Sequence, residues 1–267
     1  MNILVCVKQV PDTTEIKINP ETNTLIREGV PSIVNPFDAY ALEAAARIKD
    51  KKPDTKIVVM SMGPAQAMVA LRECLAIAAD KAYLVSGRKF GGSDTLATSY
   101  IISKAVKAVE ELEGKFDVIF CGKQAIDGDT GQVGPELAEH LDYAQVTYAL
   151  ECEVAEDNLI VLREGQDGNA KIKTKLPAVV TFTKPGFEPR YPNVRRKMAA
   201  NRAQIPVLGE DAFGDMDFSK VGLKGSPTHV KRSFVPVHNK TCVIVKEECD
   251  RDSARKLAEM LSTANVI

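Results

Sequence analysis

Short β-branched runs alternate with amphipathic stretches over roughly the first 145 residues, and this alternation restricts the fold more than any other feature of the chain. It is the pattern of βαβ units, in which parallel strands are joined by helices that cover the sheet. Strands are predicted at residues 3–7, 57–61, 82–85 and 118–121, whose near-continuous apolar character suits burial on both faces. Helices are predicted over residues 38–49, after an Asn35-Pro36 turn, and from Pro64 to about residue 79. A third follows Ser93-Asp94 to about residue 112, with Ile101, Ile102, Ala105, Val106 and Val109 as its apolar stripe, and a shorter one covers 135–141.

The segment 11–30 carries turn signals (Asn19-Pro20, Glu21-Thr22-Asn23) and reads as a hairpin excursion from the end of the first strand. After Tyr148 the rhythm changes. Residues 151–155, 159–163 and 171–174 read as antiparallel strands, and 178–183 returns to the sheet. Residues 184–191 are expected to be an exposed Pro/Gly-rich loop, followed by a basic segment at 195–202. Residues 209–239 show no sustained period, which is long for a loop within one domain and suggests an arm lying on another surface. A strand at 241–245 and a helix from near Asp252 close the chain.

Charge and cysteine usage narrow the function classes. With 35 basic and 36 acidic residues the net charge is −1, so no global field draws nucleic acid or a membrane surface. No apolar run approaches the ~20 residues needed to span a bilayer. The N-terminus begins as a strand and lacks a signal-peptide pattern, so the expected location is cytoplasmic. The cysteines form no CxxC pair and the three histidines no ligand spacing, which argues against a zinc or iron–sulfur site held by this chain. Cys6 and Cys121 sit in apolar runs and read first as small buried residues.

Neither a GxGxxG fingerprint after a strand nor a GxxxxGK[ST] loop is present. Ligands of open α/β sheets bind outside the carboxyl ends of the strands, so the candidate loops are 8–13, 34–38, 61–66, 86–98 and 122–135. The last reads Gly122-Lys123-Gln124-Ala125-Ile126-Asp127-Gly128-Asp129-Thr130-Gly131-Gln132-Val133-Gly134-Pro135. Glycines leave backbone N–H groups accessible, and consecutive N–H groups ahead of a helix make an anion nest. Thr130 and Gln132 supply donors for phosphate, and an aspartate can accept from a ribose hydroxyl. A loose polar strand–helix connection has the same composition. The loop Gly87-Arg88-Lys89-Phe90-Gly91-Gly92-Ser93-Asp94-Thr95-Leu96-Ala97-Thr98 suits a phosphate or a flat ring, although Asp94 is equally a plain N-cap.

Taken together, these segments resemble the electron-transferring flavoprotein beta family. The resemblance is carried by the loop at 122–133 and by Val7-Lys8-Gln9-Val10, Asn35-Pro36-Phe37, Ser61-Met62-Gly63-Pro64-Ala65-Gln66, Leu176-Pro177-Ala178-Val179-Val180-Thr181 and Glu188-Pro189-Arg190-Tyr191. It implies an α/β, Rossmann-like fold of the adenine-nucleotide α-hydrolase type, with a parallel five-stranded core, an antiparallel β extension and a C-terminal arm. The implied domains are a nucleotide/FAD-binding domain at 1–208 and, at 209–267, an arm and helix packing on an alpha subunit that carries its own FAD. The implied cofactor residues are Cys6, Lys8, Asn35, Phe37, Asp38, Met62, Gly63, Gly91, Gly92, Asp94, Thr95, Thr98 and the run Gly122, Lys123, Gln124, Ala125, Asp127, Gly128, Asp129, Thr130, Gly131, Gln132, Val133. Phe187 and Arg195 are the implied partner contacts, and no residue is assigned as nucleophile or general acid.

Two branches of the family differ in what this pocket holds: structural AMP in housekeeping members, a second FAD in electron-bifurcating ones. The stretch 88–98, with Val10-Pro11-Asp12-Thr13 and Ile126-Asp127-Gly128-Asp129-Thr130, resembles the bifurcating pattern. That implies oxidation of NADH at the beta-subunit FAD. One electron then goes through the alpha-subunit FAD to an acyl-CoA, enoyl-CoA or lactate dehydrogenase, and the other to ferredoxin or flavodoxin. Arg88, Lys89 and Lys123 are candidates for stabilising cofactor charge. The hairpin Asp167-Gly168-Asn169-Ala170-Lys171 departs from the family by having fewer acidic residues, which bears on a partner surface rather than on the cofactor. A stand-alone nucleotide-binding protein of the stress type is the remaining alternative.

Overall fold

In the computed structural model, which describes residues 1–12, 31–231 and 242–267, the apolar strand runs build one sheet buried on both faces. The elements in chain order are β1 (Asn2–Cys6), β2 (Gln9–Pro11), β3 (Ser32–Val34), α1 (Pro36–Lys51), β4 (Lys56–Met62), α2 (Met68–Ile77), β5 (Lys81–Val85), α3 (Thr95–Glu113), β6 (Val118–Gly122), α4 (Val133–Leu141), β7 (Ala144–Ala155), β8 (Asn158–Arg163), β9 (Ala170–Lys175), β10 (Ala178–Phe182), α5 (Val194–Arg202), β11 (Val207–Leu208), α6 (Gly222–Gly225) and α7 (Asp250–Thr263). The sheet order is β11-β5-β4-β1-β6-β10-β7-β8-β9, parallel from β11 to β7 and antiparallel across β7, β8 and β9. This is the expected parallel-sheet α/β fold with an antiparallel β extension.

Alternate residues of each central strand enter opposite cores, as the two-residue period of a strand requires. Ile3, Val5, Ile57, Val59, Val118 and Phe120 pack with α1 and α2 through Leu42, Leu71 and Cys74. Leu4, Val58, Met60 and Ile119 face the other way, onto Ile101, Val106, Val109 and Leu137 of α3 and α4. The chain builds outward from β1 through β4 to β5 and then returns to the other side of β1 as β6. The sheet therefore changes direction between β1 and β6, the position at which such sheets open a ligand crevice.

Several expectations need correction. α1 begins at Pro36, two residues before the expected start, because proline is favoured at the first helical position and needs no N–H partner there. Pro64 opens a single 3₁₀ turn, Ala65–Ala67, and α2 itself runs only from Met68 to Ile77. β7 starts at Ala144 beside β10, passes Tyr148 at φ 57 and a register shift, and continues as the antiparallel partner of β8. The loop after β10 is less exposed than its composition suggests: Pro185 is buried, Phe187 is half-buried, and Arg190 is paired to Glu43 at 2.8 Å and to Asp50 at 2.7 Å. For the expected hairpin at 11–30, the flanks β2 and β3 pair antiparallel, and residues 13–30 lie outside the described residues.

The expected arm divides in two. Compact units separate at 231/232 rather than at 208/209, so residues 209–231 belong to the α/β unit. The reason is apolar burial: Phe213, Met216 and Val221 are buried in the core on the α3 side of the sheet. Of the second unit, residues 242–267 are described; they carry α7, which begins two residues before Asp252, while 242–245 form no strand because no ladder partner is present among the described residues. Residue 241 and the rest of the expected arm, 232–239, lie outside the described residues.

Candidate functional site

Two buried polar side chains at the start of α1 organise the carboxyl ends of β1 and β6. Asp38 is 6 % exposed; its carboxylate accepts from Lys8 N at 2.7 Å, just past β1, and from Gly122 N at 3.0 Å, at the end of β6. It thus straddles the point where the sheet changes direction. Burial pushes its pKa up to about 7, against the opposing pull of Asn35, the two backbone N–H groups and the Lys8 charge. Asn35 is fully buried and does not cap α1 with its side chain. Its amide instead donates to Gln124 O at 2.8 Å and accepts from Ile126 N at 3.1 Å.

The loop after β6 is therefore pinned from below. A Cβ at Gly122 would lie 2.3 Å from Asp38 Oδ1 and 2.7 Å from Phe37 Cβ, so glycine is required for the strand end to approach α1. Farther along, Lys8 Nζ meets Asp127 Oδ1 at 2.6 Å, Gln124 Nε2 donates to Asp129 Oδ1 at 2.7 Å, and Ala125 O accepts from Gly128 N and Asp129 N. Asp129 (φ 51) and Gly131 (φ 67) adopt left-handed backbone on either side of exposed Thr130. α4 then opens at Val133 with no side-chain cap from Gln132, leaving the first N–H groups of the helix without intrahelical acceptors. Lys123 lies over Phe37 (5.0 Å) and Tyr148 (5.9 Å).

Among the described residues, the loop after β5 is hydrogen-bonded to this one through the side chain of Thr95. Thr95, the first residue of α3, shares its hydroxyl with Gln132 Oε1 and Glu136 Oε1, both at 3.2 Å. Glu136 Oε2 is buried without a hydrogen-bond partner beside that junction. Gly91 is exposed, and a Cβ there would meet only Arg88 O at 3.4 Å; Gly92 has φ 76. Asp94 caps α3 by accepting from Ala97 N, and Thr98 N donates to Asp94 O. Lys89 is drawn away from the crevice by Glu210, at 3.3 Å, and by the ring of Phe218, at 4.4 Å.

The remaining sequence-predicted residues fall less centrally. Met62 and Gly63 end β4, where Gly63 N donates to Val85 O. Cys6 is half-buried at the end of β1, and a hydrogen bond with it, together with burial, holds the Cys121 thiol well above its ordinary pKa. Phe187 folds back onto its own unit: it packs under Arg47 at 4.5 Å and lines a groove of ≈ 240 Å³ with Ile48, Lys51 and Cys152, at the far end of α1 from the loops after β5 and β6. Arg195 is exposed on α5. Sequence reading missed Glu136, Tyr148 and the whole of 210–228 as neighbours of the site. None had a local signal, apart from the glycines at 222 and 225.

The fold and site define an α/β protein whose strand order reverses between β1 and β6, with a glycine-rich loop and a helix without a side-chain cap at the carboxyl ends of those strands. Comparison with known proteins agrees. The electron transfer flavoprotein domain matches residues 22–212, and the chain belongs to the electron transfer flavoprotein beta-subunit family. It is 49% identical over 256 residues to the electron transfer flavoprotein subunit beta of Megasphaera elsdenii, covering 95% of this chain and 94% of that protein. It is also 49% identical over 236 residues, 88% of each chain, to the caffeyl-CoA reductase-Etf complex subunit CarD of Acetobacterium woodii. With the protein FixA of Azotobacter vinelandii it shares 42% identity over 262 residues, 97% of this chain and 92% of that one. Among the described residues no helix is long and apolar enough to cross a membrane.

Proposed function

We propose that this chain is the FAD-binding beta subunit of a bifurcating electron-transferring flavoprotein. In this reading it pairs with an alpha subunit that carries its own FAD, takes electrons from NADH in the cytoplasm, and passes them to a flavin-dependent dehydrogenase and to ferredoxin or flavodoxin. The observation that carries the reading is the junction of the two loops through Thr95, Gln132 and Glu136, which makes one continuous rim of two segments that each end a strand and open a helix. An adenine nucleotide alone needs only the loop after β6; a dinucleotide cofactor has to extend beyond it, and the loop at 86–98 provides the next surface.

The residues present fit such a group. Gly91 meets nothing among the described residues that requires a glycine, so its small size leaves room for a bound group. The open N-terminus of α4 offers backbone donors to phosphate, and Asn35 and Asp38, both buried, fix the start of the loop that leads to it. When bound, the flavin would supply hydride acceptance from NADH and one-electron delivery to two acceptors. The chain's own part is to bind, orient and separate: Lys8 and Gln124 fix the loop carboxylates Asp127 and Asp129, and Thr95 sets the distance between the loops. The Acetobacterium relative is named as part of a complex with a caffeyl-CoA reductase, which supports a dehydrogenase acting on CoA thioesters over a lactate-type one.

The test is flavin stoichiometry of the complex co-purified with its alpha subunit, followed by anaerobic titration with NADH. Two FAD per heterodimer and bleaching by NADH are expected. One FAD, bound AMP and no bleaching would assign the chain to the housekeeping reading, and failure to co-purify with an alpha subunit would assign it to the stand-alone one.

A further inference from the structure

Beyond the sheet, the loop at 86–98 is held by a segment more than a hundred residues later in the chain. Asp94 N donates to Ser226 Oγ at 2.8 Å, and Ser226 Oγ donates onward to Gly222 O at 2.7 Å. Gly222 N donates to Ser93 Oγ at 2.9 Å, and that hydroxyl donates to Phe90 O at 2.8 Å. Asp94 Oδ2 accepts from both Thr228 N, at 3.0 Å, and Thr228 Oγ1, at 2.7 Å, while Oδ1 accepts from Ala97 N at 3.0 Å. Both carboxylate oxygens are thus engaged within the chain. Burial opposes the charge, but the hydrogen bonds from Ala97 and Thr228 outweigh it and hold the carboxyl below its ordinary pKa.

Packing follows the same path. Phe90 stacks on Phe213 with ring centroids 6.0 Å apart. Gly222 has φ 67, and a Cβ there would lie 2.2 Å from Lys89 O, so the strap crosses the loop in direct backbone contact. Leu223 stands 3.2 Å from where a Cβ of Gly92 would be.

We infer that residues 210–228 form a clasp that sets the shape of the loop at 86–98, and that Asp94, Ser226 and Thr228 are positioning residues for the cofactor rather than ligands to it. The inference rests on the reading of this loop as the second half of a dinucleotide site. Thr95, one residue beyond the clasped Asp94, makes the only side-chain bridge described between the two loops, so a shift of the clasp displaces the bridge and with it the spacing a dinucleotide has to match. An adenine mononucleotide held by the loop after β6 does not feel that spacing.

The experiment compares the wild-type complex with Ser226→Ala/Thr228→Val, both co-expressed with the alpha subunit. Amide hydrogen exchange over 91–97 is measured first, then binding of FAD and of AMP after removal of the resident nucleotide. Loss of the three hydrogen bonds made by these two hydroxyls predicts at least roughly tenfold faster exchange over 91–97 and at least about tenfold weaker FAD binding, with AMP binding unchanged. Thr228→Ser, which keeps the donor, should behave as wild type. Unchanged exchange over 91–97 overturns the clasp, and so does equal weakening of FAD and AMP. A wild-type complex that holds AMP and no second flavin sinks the functional reading alone; the exchange comparison still decides the clasp.

Discussion

The loops after β6 and after β5 both end a parallel strand and open a helix, yet they are anchored in different ways. The first is gripped from inside the sheet by Asn35 and Asp38, two buried residues that close two backbone hydrogen bonds each onto β1, β6 and the loop itself. The second is gripped by Ser226, Thr228 and Gly222 of a late segment that is itself anchored on the α3 side of the sheet through Phe213, Met216 and Val221. A loop fixed by the core cannot change without disturbing the sheet. One fixed by a strap can be reshaped by substitutions that leave the sheet alone. Placing the adenine end of a cofactor on the first and its variable end on the second would let one scaffold serve different occupants.

The largest effect that would test this contrast is expected at Gly122. Gly122→Ala drives a Cβ into Asp38 Oδ1, and overpacking of this kind costs about 1–3 kcal/mol. Thermal denaturation should show Tm lower by about 5–10 °C, with AMP and FAD binding both lost. Next is Asn35→Ala, which removes the partner of a part-buried carbonyl and of a part-buried N–H of the loop, at about 0.5–1.5 kcal/mol each. AMP affinity measured by calorimetry should fall at least tenfold; an unchanged affinity would break the claim that the core holds this loop.

Gly91→Leu should divide the two loops cleanly. Its Cβ meets only Arg88 O within the chain, so Tm should stay within about 2 °C while FAD binding and NADH oxidation are lost and AMP binding persists. A separate, pH-dependent effect concerns Asp38, whose folded pKa of about 7 stands above the ordinary carboxylate value near 3.9. The folded state binds the proton more tightly, so this group's contribution is fully present below about pH 4 and is lost as pH rises towards 7. Asp38→Asn should flatten that part of the Tm–pH profile, as read by denaturation across pH 4–8. The smallest change is expected at Gly128, where a Cβ would meet nothing within 4 Å; Gly128→Ala should move stability by no more than about 0.5 kcal/mol.

How much of this was legible in the sequence varied with the reach of the interaction. The strands and helices around the sheet were, because Ile3–Val5-type apolar runs and the stripe of α3 declare themselves through local period. So was the loop at 122–133, whose three glycines fall within one short stretch of sequence. Asn35 and Asp38 were picked out, but as motif members; nothing local indicates that Asn35 caps a loop 89 residues away in place of its own helix. The early start of α1 and the length of β7 were misplaced for a related reason. Asn35-Pro36 reads locally as a turn ahead of the helix and Tyr148 as a boundary, while the helix starts at Pro36 itself and the strand continues through Tyr148.

The sequence by itself determined the layered α/β class, the direction of the sheet and the glycine-rich loop at its carboxyl edge, because each depends on residues within a turn or a strand of one another. Only the tertiary structure decided what holds the second loop. Residues 209–231 have no period and few apolar side chains, so they read as an arm for another surface; in the folded chain Phe213, Met216 and Val221 find the core, and Ser226 and Thr228 find Asp94. Those partners are separated by up to 134 residues, and side-chain pairing over that distance is set by where the sheet places both segments, not by any pattern in either.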